Sequence, residues 1–284
     1  MSIAANGQAQ AVSNNCASAN PTRCSAKITA DQPLAVVIFE QGDAAPYSPS
    51  GSNAFRAGAT TNFVPVVKNK WGSPALTTGL VVQNLDPTTA IDVTVTCYDY
   101  TTGAASNCGQ KIGLAARAST PFWMGSIFGT TVFSGSAVIT TNPARPIATI
   151  VQESDAANAL VYAANAPLSG SLTAYAPELY GSYAPSGPRW DSGLTVQNTS
   201  SSSNATVTVT YYDANGDLMT GWTQANVVIG PRRSLVFSRW RNNLPWPDFS
   251  GSAVITSNQP IVATVNTSHT GSGDTGASYT APNR

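Results

Sequence analysis

One eight-residue string, Phe133-Ser-Gly-Ser-Ala-Val-Ile-Thr140, recurs unchanged as Phe249-Ser-Gly-Ser-Ala-Val-Ile-Thr256. The first copy is followed by Arg145-Pro-Ile-Ala-Thr-Ile-Val151 and the second by Gln259-Pro-Ile-Val-Ala-Thr-Val265. A weaker third version lies near the front, where Ser25-Ala-Lys-Ile-Thr29 leads to Gln32-Pro-Leu-Ala-Val-Val37. Each copy reads as two short strands around a polar turn (Asn142-Pro143, Asn258-Gln259, Asp31-Gln32), that is, as a hairpin. Self-similarity at a fixed spacing is the signature of a tandem array, so the chain must build one unit more than once.

The rest of the chain answers in step. Gly79-Leu-Val-Val-Gln-Asn84 returns as Gly193-Leu-Thr-Val-Gln-Asn198, 114 residues later. Ile91-Asp-Val-Thr-Val-Thr-Cys-Tyr98 returns as Ala205-Thr-Val-Thr-Val-Thr-Tyr-Tyr212, and both strings alternate apolar with polar. Period two over eight residues predicts a half-buried strand. Residues 114–122 form another strand, and Arg117, Ser119 and Phe122 match Arg232, Ser234 and Phe237. Pro65, inside Asn62-Phe-Val-Pro-Val-Val67, restricts that strand to an edge or a bulge. No capped segment carries a helical apolar period. The expected fold is all-β: tandem Ig-like antiparallel β-sandwiches with an N-terminal partial module. The boundaries are 1–60 for the arm and partial module, 61–170 for the first repeat and 171–284 for the second.

The partial module is the odd part. Residues 25–60 match the end of a module without the strands that precede it. They present open edges that something must cover, either the first repeat or a strand from a neighbouring molecule. A head-to-tail contact of the second kind does not close on itself and generates a fibre.

Composition narrows the partners. Lys and Arg total 14 against 14 acidic residues, and only 10% of the chain is charged. With no basic stripe, nucleic acid is not an expected partner, and no apolar run approaches a membrane span. Four cysteines fall into two local pairs, Cys16/Cys24 and Cys97/Cys108. Local pairing is the simplest of the three connectivities, and it puts the chain in an oxidising compartment. The expected location is extracellular or at the cell surface, after removal of a leader.

The Val-Gln-Asn and Val-Thr-Val-Thr strands, at 79–84 with 93–99 and at 193–198 with 207–213, resemble those of bacterial secreted cell-surface repeat proteins built from tandem Ig-like (CARDB-like) modules. The resemblance covers residues 62–284 and implies spacers, stalks or fibre subunits. It supplies no catalytic residues.

The side chains capable of chemistry are few. His269 is the only histidine and belongs to a surface loop, too few for a triad or a histidine metal cluster. Asp213-Ala-Asn-Gly-Asp217 is a turn rather than a calcium loop, because it lacks the ligand spacing and the terminal Glu. Glu40, Glu153 and Glu178 are the only glutamates, and nothing in their placement makes a facing carboxylate pair. No enzyme, cofactor or metal is expected. Asn198, Asn204 and Asn266 head glycosylation sequons, so glycans are an expected partner, bound or covalent. Trp240 and Trp246, in a proline-stiffened loop, and Trp123 are candidates for contact with a subunit or a sugar. The expected function is a structural subunit of an extracellular fibre, a homopolymer assembled head to tail through strand complementation or edge pairing. The alternative is an adhesin or carbohydrate-binding module that uses the loop tryptophans.

Overall fold

The computed structural model describes residues 3, 7–10, 25–40, 50–156, 161–238, 248–269 and 276–283. Two compact units divide the chain, Met1–Leu34 and Ala35–Arg284. In the first, the described residues form no strand or helix, and Ile28 is exposed. The second opens with β1 (Val37–Glu40) and β2 (Ser50–Asn53), which pair antiparallel. The first repeat follows: β3 (Thr61–Asn69), β4 (Thr77–Asn84), β5 (Ile91–Asp99), β6 (Ala105–Leu114), β7 (Ser119–Trp123), a short helix α1 (Met124–Phe128), β8 (Phe133–Asn142), β9 (Ile147–Ser154) and β10 (Val161–Asn165). The second repeat holds β11 (Ser171–Gly181), β12 (Trp190–Asn198), β13 (Ala205–Asp213), β14 (Gln224–Ile229), β15 (Ser234–Phe237), β16 (Phe249–His269) and β17 (Gly276–Thr280). The fold is all-β and antiparallel. No helix among the described residues is long and apolar enough to cross a membrane.

Each repeat closes one buried core. In the first, the strands form two sheets, of order β3-β8-β5-β6 and β10-β9-β4-β7. In the second, all seven strands belong to one sheet joined through β16: its first half pairs with β11 and β13, its second half with β12 and β17. The alternation expected in β5 and β13 is present. Ile91, Val93, Val95 and Cys97 are buried, as are Ala205, Val207, Val209 and Tyr211, while the residues between them are half-buried. Proline sits where it must: β3 is an edge strand with a register shift between Val64 and Val67, and β11 has one between Ala176 and Leu179.

The repeated motifs acquire physical reasons. A Cβ on Gly135 would lie 2.1 Å from the Tyr98 carbonyl oxygen, and one on Gly251 would lie 2.1 Å from that of Tyr212. Only glycine allows the backbones so close, and the rings of Phe133 and Phe249 cover the gap. The Asn of Val-Gln-Asn is a lock. Asn84 Nδ2 donates to the carbonyls of Thr89, Leu114 and Ala115, and Asn198 Nδ2 to those of Ser203, Ile229 and Gly230. Both side chains are fully buried, and the two N–H groups of each amide are shared among three carbonyls that converge on it from two segments.

One expectation is corrected. The motif is not a hairpin, because β8 and β9 lie in different sheets and do not pair. The Asn-Pro corner carries the chain across the core, and in β16 the crossing is continuous through Pro260. Strand alternation looks the same whether two successive strands pair or change sheets. The front copy is corrected likewise: residues 25–29 form no strand. Yet β1 and β2 reproduce β9 and β10 residue for residue. Val37 lies opposite Asn53 as Ile150 lies opposite Asn165. Ala54 N donates to Val36 O at 3.0 Å, as Ala166 N does to Thr149 O at 2.9 Å and Ala281 N to Ala263 O at 2.9 Å.

Candidate functional site

One organised feature is the junction between the repeats. It follows from outward-facing residues that the strand period places opposite the core. Phe63 on β3 and Val138 on β8 point away from their own core and meet Val262 on β16, with Tyr98 packed alongside. Phe63, Val138 and Val262 are all buried. The Arg232 guanidinium stands 5.5 Å over the Phe63 ring. Arg232 has φ 62°, a left-handed conformation that is rare for a side chain of its size. Its carbonyl accepts from Ser136 Oγ at 2.7 Å and from Gln197 Nε2 at 3.0 Å, and Gln197 Nε2 also donates to Ala137 O at 3.1 Å. Arg233 Nη2 donates to the carbonyls of Tyr100 at 2.7 Å and Thr101 at 2.8 Å.

The far margin of the junction is polar. Glu153 is 3% exposed and binds Lys68 Nζ at 2.8 Å, while Asn266 Nδ2 from the second repeat donates to its other oxygen at 2.8 Å. Thr280 Oγ1 donates to the Asn165 carbonyl. Burial pushes the Tyr162 hydroxyl up to about 12, although a hydrogen bond with Ser268 opposes the shift. The repeats are thus fastened by a dry apolar patch, a cation over a ring and a buried ionic corner.

Equivalent faces exist at both ends of the pair. Tyr175 pairs with Val254 as Phe63 pairs with Val138, but both are half-buried rather than buried. Arg117 has φ 62°, like Arg232, and its carbonyl accepts from Gln83 Nε2 at 3.4 Å, as that of Arg232 accepts from Gln197. Where Thr195 is 5% exposed in the second repeat, Val81 is 38% exposed in the first.

Residues singled out from the sequence fall into separate places. Cys97 and Cys108 form a disulfide that joins β5 to β6, whereas Cys16 and Cys24 lie outside the described residues. Trp240 and Trp246 also lie outside them. Trp123 is 45% exposed at the end of β7 and rests on Gly79 and Gly125. Of the sequon residues, Asn198 is fully buried and its amide donates to the carbonyls of Ser203, Ile229 and Gly230. Asn266 is committed to Glu153 and accepts from Ser278 Oγ. Asn204 alone of the three is exposed. It lines an open groove of about 560 Å³ beside Arg232 and Arg233. Asp213 closes its own turn by accepting from the backbone N–H groups of Asn215 and Asp217, and the Asp217 N–H above all holds its carboxyl below the usual range.

His269 ends β16 rather than sitting in a loop, and its ring lies 4.4 Å from that of Trp190. Trp190, Tyr180 and Tyr183 form a half-buried aromatic group, with Tyr180 and Tyr183 stacked at 5.3 Å. Its members come from separate segments, so no single stretch of sequence announces the group. The Tyr180 hydroxyl bonds Glu178, which pushes it up to about 12. Glu153 and Glu178 therefore serve different partners. Among the described residues no three His, Cys, Asp or Glu side chains gather to hold a metal ion.

No protein-family model matches the sequence, and no curated protein does either. The fold was also compared with solved structures. A crystal structure of Thermotoga maritima 1070 is 18% identical with a TM-score of 0.33, over 40% of this chain and 96% of that one. The Anabaena sensory rhodopsin transducer is 23% identical with a TM-score of 0.26, over 36% of this chain and 97% of its own. A β-glucuronidase from Bacteroides uniformis is 11% identical with a TM-score of 0.16, over 72% of this chain and 24% of that one. Overlaps this loose bear on neither function nor assembly.

Proposed function

We propose that the chain is a structural subunit of an extracellular fibre, built from tandem Ig-like modules at 61–170 and 171–284 of the kind used by bacterial secreted cell-surface repeat proteins. The reading gives it a mechanical role and no catalysis. The observation that carries it is the junction around Phe63 and Arg232, which joins two like modules face to face and leaves the equivalent faces at their outer ends. An interface between unlike faces of like units is heterologous and propagates unless it closes into a ring. The Cys97–Cys108 disulfide suits an oxidising exterior. Strand complementation by an unpaired front segment is less well supported, since β1 and β2 pair with each other.

Negative-stain electron microscopy of the purified chain tests this reading. Filaments with an axial repeat of one or two modules are expected. Dispersed particles at every concentration would rule it out. A second reading, an adhesin or carbohydrate-binding module, is favoured by the half-buried group of Trp190, Tyr180 and Tyr183. Binding on a glycan array that is lost in Trp190→Ala or Trp246→Ala would support it.

A further inference from the structure

The polar corner of the junction gathers side chains of complementary reactivity. Glu153, near the end of β9, spans two of them with its two oxygens. One oxygen lies 2.8 Å from Lys68 Nζ on β3, and the other accepts from Asn266 Nδ2 on β16 at 2.8 Å. Lys68 and Glu153 belong to the first repeat and Asn266 to the second. A single carboxylate thus holds an amine and a carboxamide from opposite sides of the junction. A fourth group completes the set: Ser278, opposite Asn266 in the β16–β17 pair, donates from Oγ to Asn266 Oδ1 at 2.8 Å.

The surroundings are dry. The side chain of Glu153 is 3% exposed and that of Lys68 18%. Val64, Val66, Val151 and Tyr162 line a cavity of about 10 Å³ beside Glu153 and Ser278, space for one molecule the size of water. An ion pair withdrawn from water is held at a cost, and the module does not require this one. In the second repeat Tyr180 and Thr267 take the places of Lys68 and Glu153. Lys68 N donates to Thr78 Oγ1 as Tyr180 N donates to Ser192 Oγ, and Thr78 lies opposite Glu153 as Ser192 lies opposite Thr267. The same corner closes there with no charge at either position. The ion pair belongs to the junction and not to the repeat.

Away from water, two neutral groups gain on two charged ones. Passage of one proton from Lys68 to Glu153 leaves a neutral amine, which is a nucleophile, and a carboxylic acid. We propose that Lys68 and Asn266 join in an amide bond across the junction, with Glu153 carrying the protons. The Nζ lone pair adds to Asn266 Cγ, and negative charge develops on Oδ1, the oxygen to which Ser278 already donates. Glu153 gives its proton to Nδ2 and takes one from Nζ. The Nζ–Cγ bond stays, the Cγ–Nδ2 bond breaks and ammonia leaves, with nothing oxidised or reduced. The product ties β3 of the first repeat to β16 of the second, so a pull on the chain cannot part the repeats by undoing their packing alone.

Mass spectrometry of the full chain, unfolded and reduced, reads the bond. The wild type is expected to be lighter than its sequence by one ammonia. Its protease digest is expected to hold a branched peptide that joins the segment of Lys68 to that of Asn266. Asn215-Gly216 also loses ammonia when it closes on its own backbone, so the branched peptide decides. Lys68→Arg keeps a cation beside Glu153 but removes the amine, and it is expected to give no branched peptide. Glu153→Gln keeps hydrogen-bonding groups but cannot carry the proton, and it is expected to leave the segments unlinked. Circular dichroism confirms that each variant is folded. A folded wild type without the branched peptide overturns the bond, whatever the variants do. A Lys68→Arg chain that still yields a peptide branched at Asn266 overturns the role of Lys68, and a Glu153→Gln chain that links as completely as the wild type overturns that of Glu153. The bond lies within one chain, so dispersed particles in the electron microscope would sink the fibre and leave the bond standing.

Discussion

The two repeats close the same core by different means. Cys97 on β5 and Tyr211 on β13 occupy the equivalent, fully buried position. In the first repeat that position carries a covalent staple to Cys108 on the next strand. In the second it carries a large ring within the apolar core, against which Met219 and Trp222 also pack. A cross-link acts mainly on the unfolded chain, whereas a buried ring acts through packing in the folded one. The second contrast concerns the surfaces. The face of the second repeat around Arg232 and Gln197 is covered by the first repeat, whereas on that of the first Val81 is 38% exposed where Thr195 of the second is 5%. A fold can therefore be copied while its contacts are apportioned by position in the array.

The contrast in the cores predicts the largest effects. Tyr211→Ala should cost about 4 kcal/mol, and replacing Cys97 and Cys108 together by Ala about 3 kcal/mol for a loop of this length. Both show in urea unfolding, and only the cysteine variant loses the share of reductant sensitivity that the Cys97–Cys108 bond supplies. Next come the faces. Phe63→Ala should cost about 3 kcal/mol and separate one calorimetric transition into two, while Tyr175→Ala should stay within about 0.5 kcal/mol in the monomer. Equal costs for this pair would erase the distinction between the buried ring and the half-buried one. Gln197→Ala leaves the Ala137 carbonyl without that donor and should cost about 1–2 kcal/mol; Gln83→Ala should be near neutral by the same chemical denaturation.

The smallest effect is on pH. Tyr162 has its folded value raised to about 12, so the folded state holds its proton after the unfolded chain has lost it. Its contribution is intact below pH 10 and declines between pH 10 and 12. The second-repeat residue in the same register is Ala277, opposite Thr267 as Tyr162 is opposite Glu153. Tyr162→Phe should therefore flatten part of the alkaline decline in the unfolding midpoint. An unchanged slope would mean that Tyr162 does not titrate at the junction.

Much of this was legible before any coordinates. The alternation of β5 and β13 named the core residues, and the proline in β3 named its edge and bulge. The match of Arg117 with Arg232 marked equivalent places in the two repeats, which share a left-handed backbone. Other features were not legible. Strand β6 is exposed along most of its length, so no apolar period announces it. Asn198 carries a complete sequon, but a sequon says nothing of burial, and the three carbonyls that its amide reaches come from the Ser203 turn and from the end of β14. His269 and Trp190 meet across 79 residues of chain, 190 to 269.

Sequence alone determined that this chain is an array of β units, because period-two burial and an unchanged eight-residue string are local properties, carried by each segment wherever it lies. It marked residues 32–37 as a relative of the strand that follows each copy of the string, but gave no sign of β2, whose residues read as a loop. Which strands pair, and which copies of a face are buried, was decided only in the tertiary structure. Pairing and burial are relations between segments a hundred residues apart, and two copies of one string fold alike yet meet different neighbours.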